Sequence, residues 1–118
     1  MSMVVLTDQA KNTNVKLDPY LESIIDKVKE FVDLLVEYAH AKCRYESFMF
    51  KERYDKCLYY ERNLIRSGIL MFFLDKYVYL NHKIYEYPRE VLNQFESILK
   101  QIVDGGLNRI YPSNIDPL

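Results

Sequence analysis

The fold of this chain is decided by residues 18–38, DPYLESIIDKVKEFVDLLVEY. Asp18 supplies a side chain that caps a helix N-terminus, and Pro19 suits the first helical position because its missing N–H is not needed there. Apolar residues then recur at alternating steps of three and four, the period of an α-helix that buries one face. This predicted core stripe comprises Leu17, Leu21, Ile24, Ile25, Val28, Phe31, Val32, Leu35 and Tyr38.

The other face of the same predicted helix is acidic. At about 100° per residue, its acidic side chains fall almost directly opposite the core stripe. They are Glu22, Asp26, Glu30, Asp33 and Glu37. Like charges at these spacings destabilise a helix by about 0.2–0.5 kcal/mol per pair unless something compensates. We weigh two interpretations: a face that is merely solvated, and a docking face for a basic protein partner or for the basic segment of a second copy.

The middle of the chain has a weaker helical period. It blurs around residues 46–50, so the sequence leaves open whether residues 18–66 form one long helix or two. Ser67 and Gly68 predict a bend or break, because a Ser/Gly pair is a common site for one and glycine weakens a helix by about 1 kcal/mol. We expect residues 69–80 to be a separate, deeply buried segment.

A turn at 81–83 and an extended connector at 84–87 are expected to lead to the last helix, which Pro88 begins. The pair 105–106 is Gly-Gly, and glycine favours the left-handed conformation that stops many helices. We therefore predict that the helix ends just before this pair. Its apolar face comprises Val91, Leu92, Phe95, Ile98, Leu99, Ile102 and Val103.

These segments predict an all-α protein, a small single-domain bundle of three to five helices. A short β-prone run and a polar stretch make residues 1–16 an extended N-terminal arm. Residues 17–106 form the helical bundle domain, and residues 107–118 form a C-terminal tail. We expect the tail to lie on a surface, because it keeps the apolar anchors Leu107, Ile110, Tyr111 and Ile115.

The composition and net charge limit the partners and the cellular location that we expect for this protein. A net charge of −1 gives no whole-molecule attraction to nucleic acid or to an anionic membrane. The most apolar run, residues 69–74, is far shorter than the roughly 18 residues of a membrane span, so no membrane association is expected. Cys43 and Cys57 are too few for a disulfide framework, and the N-terminus lacks a signal-peptide pattern. We expect a cytoplasmic, intracellular protein, in the host cytoplasm if it is viral.

No motif predicts catalysis. The sequence lacks a phosphate loop, a nucleophile elbow and a dinucleotide-binding fingerprint, so we predict no enzyme, no catalytic residue and no cofactor. A nominal zinc set exists in His40, Cys43, Cys57 and His82, but its spacing is that of no zinc module, and buried cysteine commonly behaves as a small hydrophobe. We therefore predict no metal. Abundant Lys, Glu, Ile and Tyr would suit a hyperthermophilic archaeal host or its virus.

Residues 40–66 carry the opposite charge from residues 18–37. They hold seven bases against four acids, whereas residues 18–37 hold six acids against two bases. The bases alternate with aromatic residues, a pattern that binds nucleic acid through phosphate contacts and base stacking. The alternative is that neighbouring acids pair with the bases while the aromatic rings pack inward. The bases in question are Lys42, Arg44, Lys51, Arg53, Lys56, Arg62 and Arg66.

The run Arg62-Asn-Leu-Ile-Arg66, followed by an apolar segment, a connector and the helix at 88–104, resembles the helical domain of GINS replication-complex subunits over less than half of the chain. The resemblance implies a non-catalytic subunit of a hetero-oligomeric replication assembly. From the residues themselves, we expect a non-enzymatic protein–protein interaction module, or a subunit of an assembly, that self-associates or docks on a protein partner. The alternative is a small viral or archaeal nucleic-acid-binding regulator that uses residues 42–66.

Overall fold

The computed structural model describes residues 17–79 and 82–114, together with the backbone of residues 6–7 and 9–10. Most of these residues are helical, in α1 (Pro19–Phe50), α2 (Tyr54–Leu64), α3 (Leu70–Leu74) and α4 (Arg89–Ile110). Irregular helical turns occupy Ile65–Ile69 and Asp75–Tyr79, which are π-helical, and His82–Glu86, which is 3₁₀. Two short strands, β1 (Leu6–Thr7) and β2 (Gln9–Ala10), pair with each other. The prediction of a small all-α bundle is confirmed.

Helix α1 begins as its first residues predict. The Leu21 N–H donates to Asp18 Oδ1 at 3.0 Å, and Pro19 occupies the first turn. The helix ends at Phe50, because Lys51 takes the left-handed conformation with φ of 56°. Residues 18–66 therefore form two helices, which the sequence alone left open.

The buried face of α1 follows the predicted stripe through its first half and then departs from it. Leu35 is only half-buried, and Tyr38 is exposed, so the prediction that Tyr38 lies in the core is wrong. The predicted stripe repeats every seven residues, whereas a straight α-helix drifts by about 20° per heptad relative to such a repeat. The core side therefore moves around the helix. The buried residues of α1 are Leu21, Ile24, Ile25, Val28, Val32, Val36, Ala39 and Cys43.

The chain from α2 through α3 is one continuous helical rod, so the bend or break predicted at Ser67 and Gly68 is not a break. Both residues lie in a π-helical turn, Ile65–Ile69, which accommodates one extra residue without ending the helix. The buried side chains of Ile65, Leu70, Leu74 and Val78 are spaced five, four and four residues apart, so the π-turn brings them back to one side. Residues 69–80 are not deeply buried throughout, because Ile69 and Phe72 are exposed.

The expected turn and extended connector are replaced by the 3₁₀ turn His82–Glu86, in which Ile84 is buried. Residue 81 lies outside the described residues. Pro88 precedes α4, as predicted. The connection is therefore helical where its tyrosine-rich sequence suggested an extended segment.

Helix α4 continues through Gly105 and Gly106 to Ile110, so the prediction that it stops before the glycines is wrong. Leu107 and Ile110 extend the helical period of its buried face, and their burial favours continuing the helix over stopping it. The side chain of Val32 on α1 occupies the space that a Cβ at Gly106 would need. Glycine at this position therefore lets α1 and α4 approach closely.

The C-terminal anchors are placed as expected up to Tyr111. Leu107, Ile110 and Tyr111 are all buried, the first two inside α4 and the third directly after it. Ile115 lies outside the described residues, as does most of the predicted arm. The division into arm, bundle and tail stays a prediction. Within the described part of the chain, no helix is long and apolar enough to cross a membrane.

Asp18 links the beginnings of α1 and α4. Its Oδ1 caps α1, while its Oδ2 accepts a hydrogen bond of 2.6 Å from the Tyr87 hydroxyl. The backbone N–H of Leu21 and then the Tyr87 hydroxyl lower the pKa of Asp18, and the carboxylate raises the pKa of Tyr87 to about 12. The ionised carboxylate is thus the form that the folded protein favours.

We expect Asp18→Asn to lower the melting temperature at neutral pH and to have little effect in acid. A carboxyl with a lowered folded-state pKa stabilises the fold above its unfolded pKa of about 3.9, and this contribution disappears as the pH falls through the folded pKa. Asparagine still caps the helix, so the substitution isolates the charge. Thermal melts of the protein and the variant between pH 2 and pH 8 provide the test. A difference that persists unchanged at pH 2 would contradict it.

Candidate interaction surface of helix α1

The acidic face of α1 is exposed along its whole length. All five predicted acids, Glu22 to Glu37, are exposed. One of them is engaged within the chain, because Asp33 Oδ1 accepts a hydrogen bond of 2.7 Å from Arg109 Nη2 on α4. The contact is exposed on both sides, and such surface pairs contribute little to stability. Most of the acidic face is therefore open to solvent or to a partner.

Beside the acids, α1 carries an apolar stripe that its own bundle leaves uncovered. At about 100° per residue, this stripe lies on the opposite side of the helix from the buried residues. Its members recur at steps of four, three, four and three, and we call them the outer seam: Leu34, Tyr38, Ala41, Tyr45 and Phe48. The exposed fractions of the four large members are 62% for Leu34, 53% for Tyr38, 57% for Tyr45 and 81% for Phe48.

The outer seam has the size of the largest exposed apolar patch on a typical monomer. Because an aromatic side chain presents about 150–250 Å², the exposed fractions correspond to roughly 400–500 Å². The largest apolar patch on a typical monomer is about 300–600 Å² and is often functional. Phe50 extends the patch at the end of α1. Its ring packs edge-on against the Tyr45 ring, with 6.2 Å between the two ring centroids. The outer face of α1 is thus acidic in its first half and apolar in its second.

Two of the seven predicted bases are held by carboxylates within the chain. Lys42 binds Glu61, which is buried, and the hydrogen bond to Glu61 raises the pKa of Lys42. Arg53 pairs with Asp55, and this hydrogen bond lowers the pKa of the Asp55 carboxyl. For these bases, the interpretation of local pairing fits the structure better than that of a nucleic-acid surface.

Arg62 is also unsuited to contact a nucleic acid, because its side chain is only 7% exposed. Its Nη1 donates to Asn63 Oδ1 at 3.3 Å, while its buried Nε has no hydrogen-bond partner among the described residues. The four other predicted bases remain exposed, and they lie around the end of α1 and along the rod: Arg44, Lys51, Lys56 and Arg66. The structure therefore brings only part of the predicted basic set to the surface.

The end of α1 is held to α2 by a covalent bond. Cys43 and Cys57 form a disulfide with a Cα–Cα distance of 5.6 Å, whereas the sequence suggested simple buried hydrophobes. His40 adds two contacts, a hydrogen bond of 2.6 Å between its Nδ1 and the Tyr54 hydroxyl and one of 3.0 Å from its Nε2 to the Arg109 carbonyl. Since a carbonyl only accepts, Nε2 is the donor in the contact with Arg109.

These contacts engage three residues of the nominal zinc set, His40, Cys43 and Cys57. The side chain of the fourth, His82, lies outside the described residues. Elsewhere in the part that the structure describes, no group of three or more His, Cys, Asp and Glu side chains is arranged to hold a metal ion. The absence of a metal stays a prediction.

No family model, curated protein or solved structure matches this chain. The likeness of its second half to GINS subunits therefore stays a resemblance. Function has to be argued from the surface itself, and the outer seam with its flanking charges is a feature of the described residues that packing within the bundle does not explain.

Sequence reasoning found the acidic face but missed the outer seam. It placed Tyr38 in the core and treated Tyr45 and Phe48 only as aromatics of the basic segment. A usable signal was present: residues 34–48 repeat apolar side chains at heptad spacing, on the side of α1 opposite Val28 and Val32. Two apolar stripes on one helix indicate one face for the core and one for a partner.

Proposed function

We propose that this protein is a non-enzymatic protein–protein interaction module that self-associates through the outer face of α1. The outer seam is the observation that carries the proposal. Four large side chains, each more than half exposed, lie at heptad spacing on a helix whose other side already fills the core. Burying them against another protein removes apolar surface from water, which is the main driving force of association.

A nucleic-acid-binding function is the second candidate, and one observation favours it. Arg44, Lys51 and Lys56 remain exposed, and the exposed rings of Phe48 and Tyr60 lie along the same segment. Bases next to exposed rings suit single-stranded nucleic acid, which binds by phosphate contact and base stacking. The burial of Arg62 weakens this candidate.

Light scattering on a size-exclusion column distinguishes the two functions. We expect a particle of twice the 14.2 kDa chain mass in the absence of DNA, at both low and high salt, because apolar burial is not screened by ions. A chain that is monomeric alone and shifts only with a single-stranded DNA oligonucleotide, and only at low salt, would instead support the nucleic-acid function. A monomer under every condition would contradict both.

We expect the double variant Leu34→Ser, Phe48→Ser to weaken self-association at least about tenfold while leaving the helical content unchanged. Both side chains are exposed in the single chain, so the fold does not depend on them, and an apolar anchor at an interface contributes about 1–2 kcal/mol or more. Phe72→Ser is the matched control, since Phe72 is 61% exposed but belongs to α3 and not to α1. Sedimentation equilibrium measures the dissociation constants. Equal weakening by the control would contradict the assignment to α1.

We propose a cytoplasmic location. The disulfide then favours a cell whose cytosol contains stable disulfide bonds. Disulfides are rare in the cytosol of mesophiles, but they are common in intracellular proteins of hyperthermophilic archaea and bacteria. The composition already suggested a hyperthermophilic archaeal host or its virus. A cytoplasmic protein with a Cys43–Cys57 bond is consistent with that origin.

A further inference from the structure

We infer that two copies pair through antiparallel α1 helices, around a two-fold axis at the level of residues 39–40. The inference rests on the proposed self-association and names its partner, a second copy, and its register. Three features of the outer face carry it: the spacing of the outer seam, the small residue Ala41 at its centre, and the order of charges along its edge.

The seam has the geometry of a coiled-coil stripe. Steps of four and three residues place its members at the two core positions of successive heptads, where side chains of one helix insert between those of another. With a two-fold axis at residues 39–40, Tyr38 faces the partner's Ala41, and Leu34 faces the partner's Tyr45. Tyr38 therefore packs over the smallest member of the partner's seam, which suits close packing.

The charges on one edge of the seam fit the same register. Glu30, Glu37 and Arg44 follow one another at seven-residue steps, each directly preceding a core position of the heptad, and Lys51 lies seven residues further on, directly after the last residue of α1. In an antiparallel pair this edge faces the same edge of the partner. Glu37 then lies opposite the partner's Arg44, and Glu30 opposite the partner's Lys51. The two-fold axis repeats each contact, which gives four complementary pairs.

These charges are available for such contacts. Glu30, Glu37, Arg44 and Lys51 are all exposed, and none of them is engaged by another side chain among the described residues. A parallel pair would instead align the acidic half of each α1 with that of the other, and like charges across an interface disfavour the complex. Charge order therefore selects the antiparallel orientation, just as the charges at the edges of coiled coils set partner orientation.

The size of the contact indicates a reversible dimer. Two outer seams of roughly 400–500 Å² each bury less than the about 1,200–2,000 Å² of a standard stable interface. Flanking contacts by the four charged pairs add to this area. Contacts of this size are typical of weak, transient complexes, so we expect association to depend on protein concentration.

Charge-reversal variants test the register. Glu37→Lys places two bases opposite each other in its own dimer, and Arg44→Glu places two acids opposite each other. Each variant alone is expected to dimerise about tenfold or more weakly than the unmodified protein. An equimolar mixture of the two is expected to form a heterodimer of near-normal affinity, because both contacts are then complementary. The double variant Glu37→Lys, Arg44→Glu should also dimerise normally.

Glu22→Lys is the matched control, since Glu22 belongs to the same acidic face but has no α1 residue of the partner opposite it in this register. It is expected to dimerise normally, and circular dichroism melts check that every variant folds. If the unmodified protein is dimeric but mixing the two charge variants restores nothing, the antiparallel register is wrong while self-association stands. If the unmodified protein is monomeric at every concentration, the proposed function fails as well.

Discussion

Reduction of the Cys43–Cys57 disulfide is expected to lower the free energy of unfolding by about 3 kcal/mol. The bond joins the last turns of α1 to the first turn of α2 across a sequence separation of 14 residues. Breaking it returns conformational freedom to the unfolded chain, and a loop of this length corresponds to about that free energy. The enclosed turn contains Lys51, whose left-handed backbone the bond helps to hold in place.

Urea denaturation with and without reductant measures this effect. All samples should be compared at one protein concentration, because the stability of a self-associating protein depends on it. The double variant Cys43→Ala, Cys57→Ala should resemble the reduced protein and should not respond to reductant. Both cysteines are buried, so the variant also loses some packing. Its free energy of unfolding is therefore a lower bound on that of the reduced protein. Identical denaturation curves for the oxidised and reduced protein would contradict the prediction.

Two adjacent glycines in α4 are expected to respond to alanine in opposite directions. Gly106→Ala should destabilise the fold by about 1–3 kcal/mol, because the added Cβ overlaps the side chain of Val32 and overpacking of a core costs about this much. Val32 is β-branched and buried, so it cannot rotate away easily. The helices α1 and α4 would have to move apart, which weakens the packing between the two longest helices of the described structure.

Gly105→Ala is the control, and it should stabilise the fold by about 0.5–1 kcal/mol. Gly105 is exposed within α4 and has nothing within 4 Å of a Cβ placed there, so alanine only removes the entropic penalty of glycine in a helix. Thermal and urea denaturation of both variants measure whether each substitution raises or lowers the free energy of unfolding. Stabilisation by Gly106→Ala would show that α1 and α4 do not approach as closely as the structure places them.

The sequence by itself determined where α1 and α4 begin. Asp18 and Pro19 start α1, and Pro88 precedes α4, because capping and the restricted backbone of proline act on the residues next to them. It also placed the acids of α1 at the surface, since charged side chains remain solvated unless they are paired. Signals of this kind depend on residues within one helical turn, so they can be interpreted without knowing the rest of the fold.

Only the tertiary structure decided which apolar residues the bundle buries. Residues 34–48 carry two apolar stripes, and burial falls on Val36, Ala39 and Cys43 because α2 and α4 pack on that side, which leaves Tyr38 outside. The same packing keeps α4 helical through its glycines and brings the two cysteines within bonding distance. Each outcome depends on contacts between segments distant in sequence, and no local period or propensity contains them.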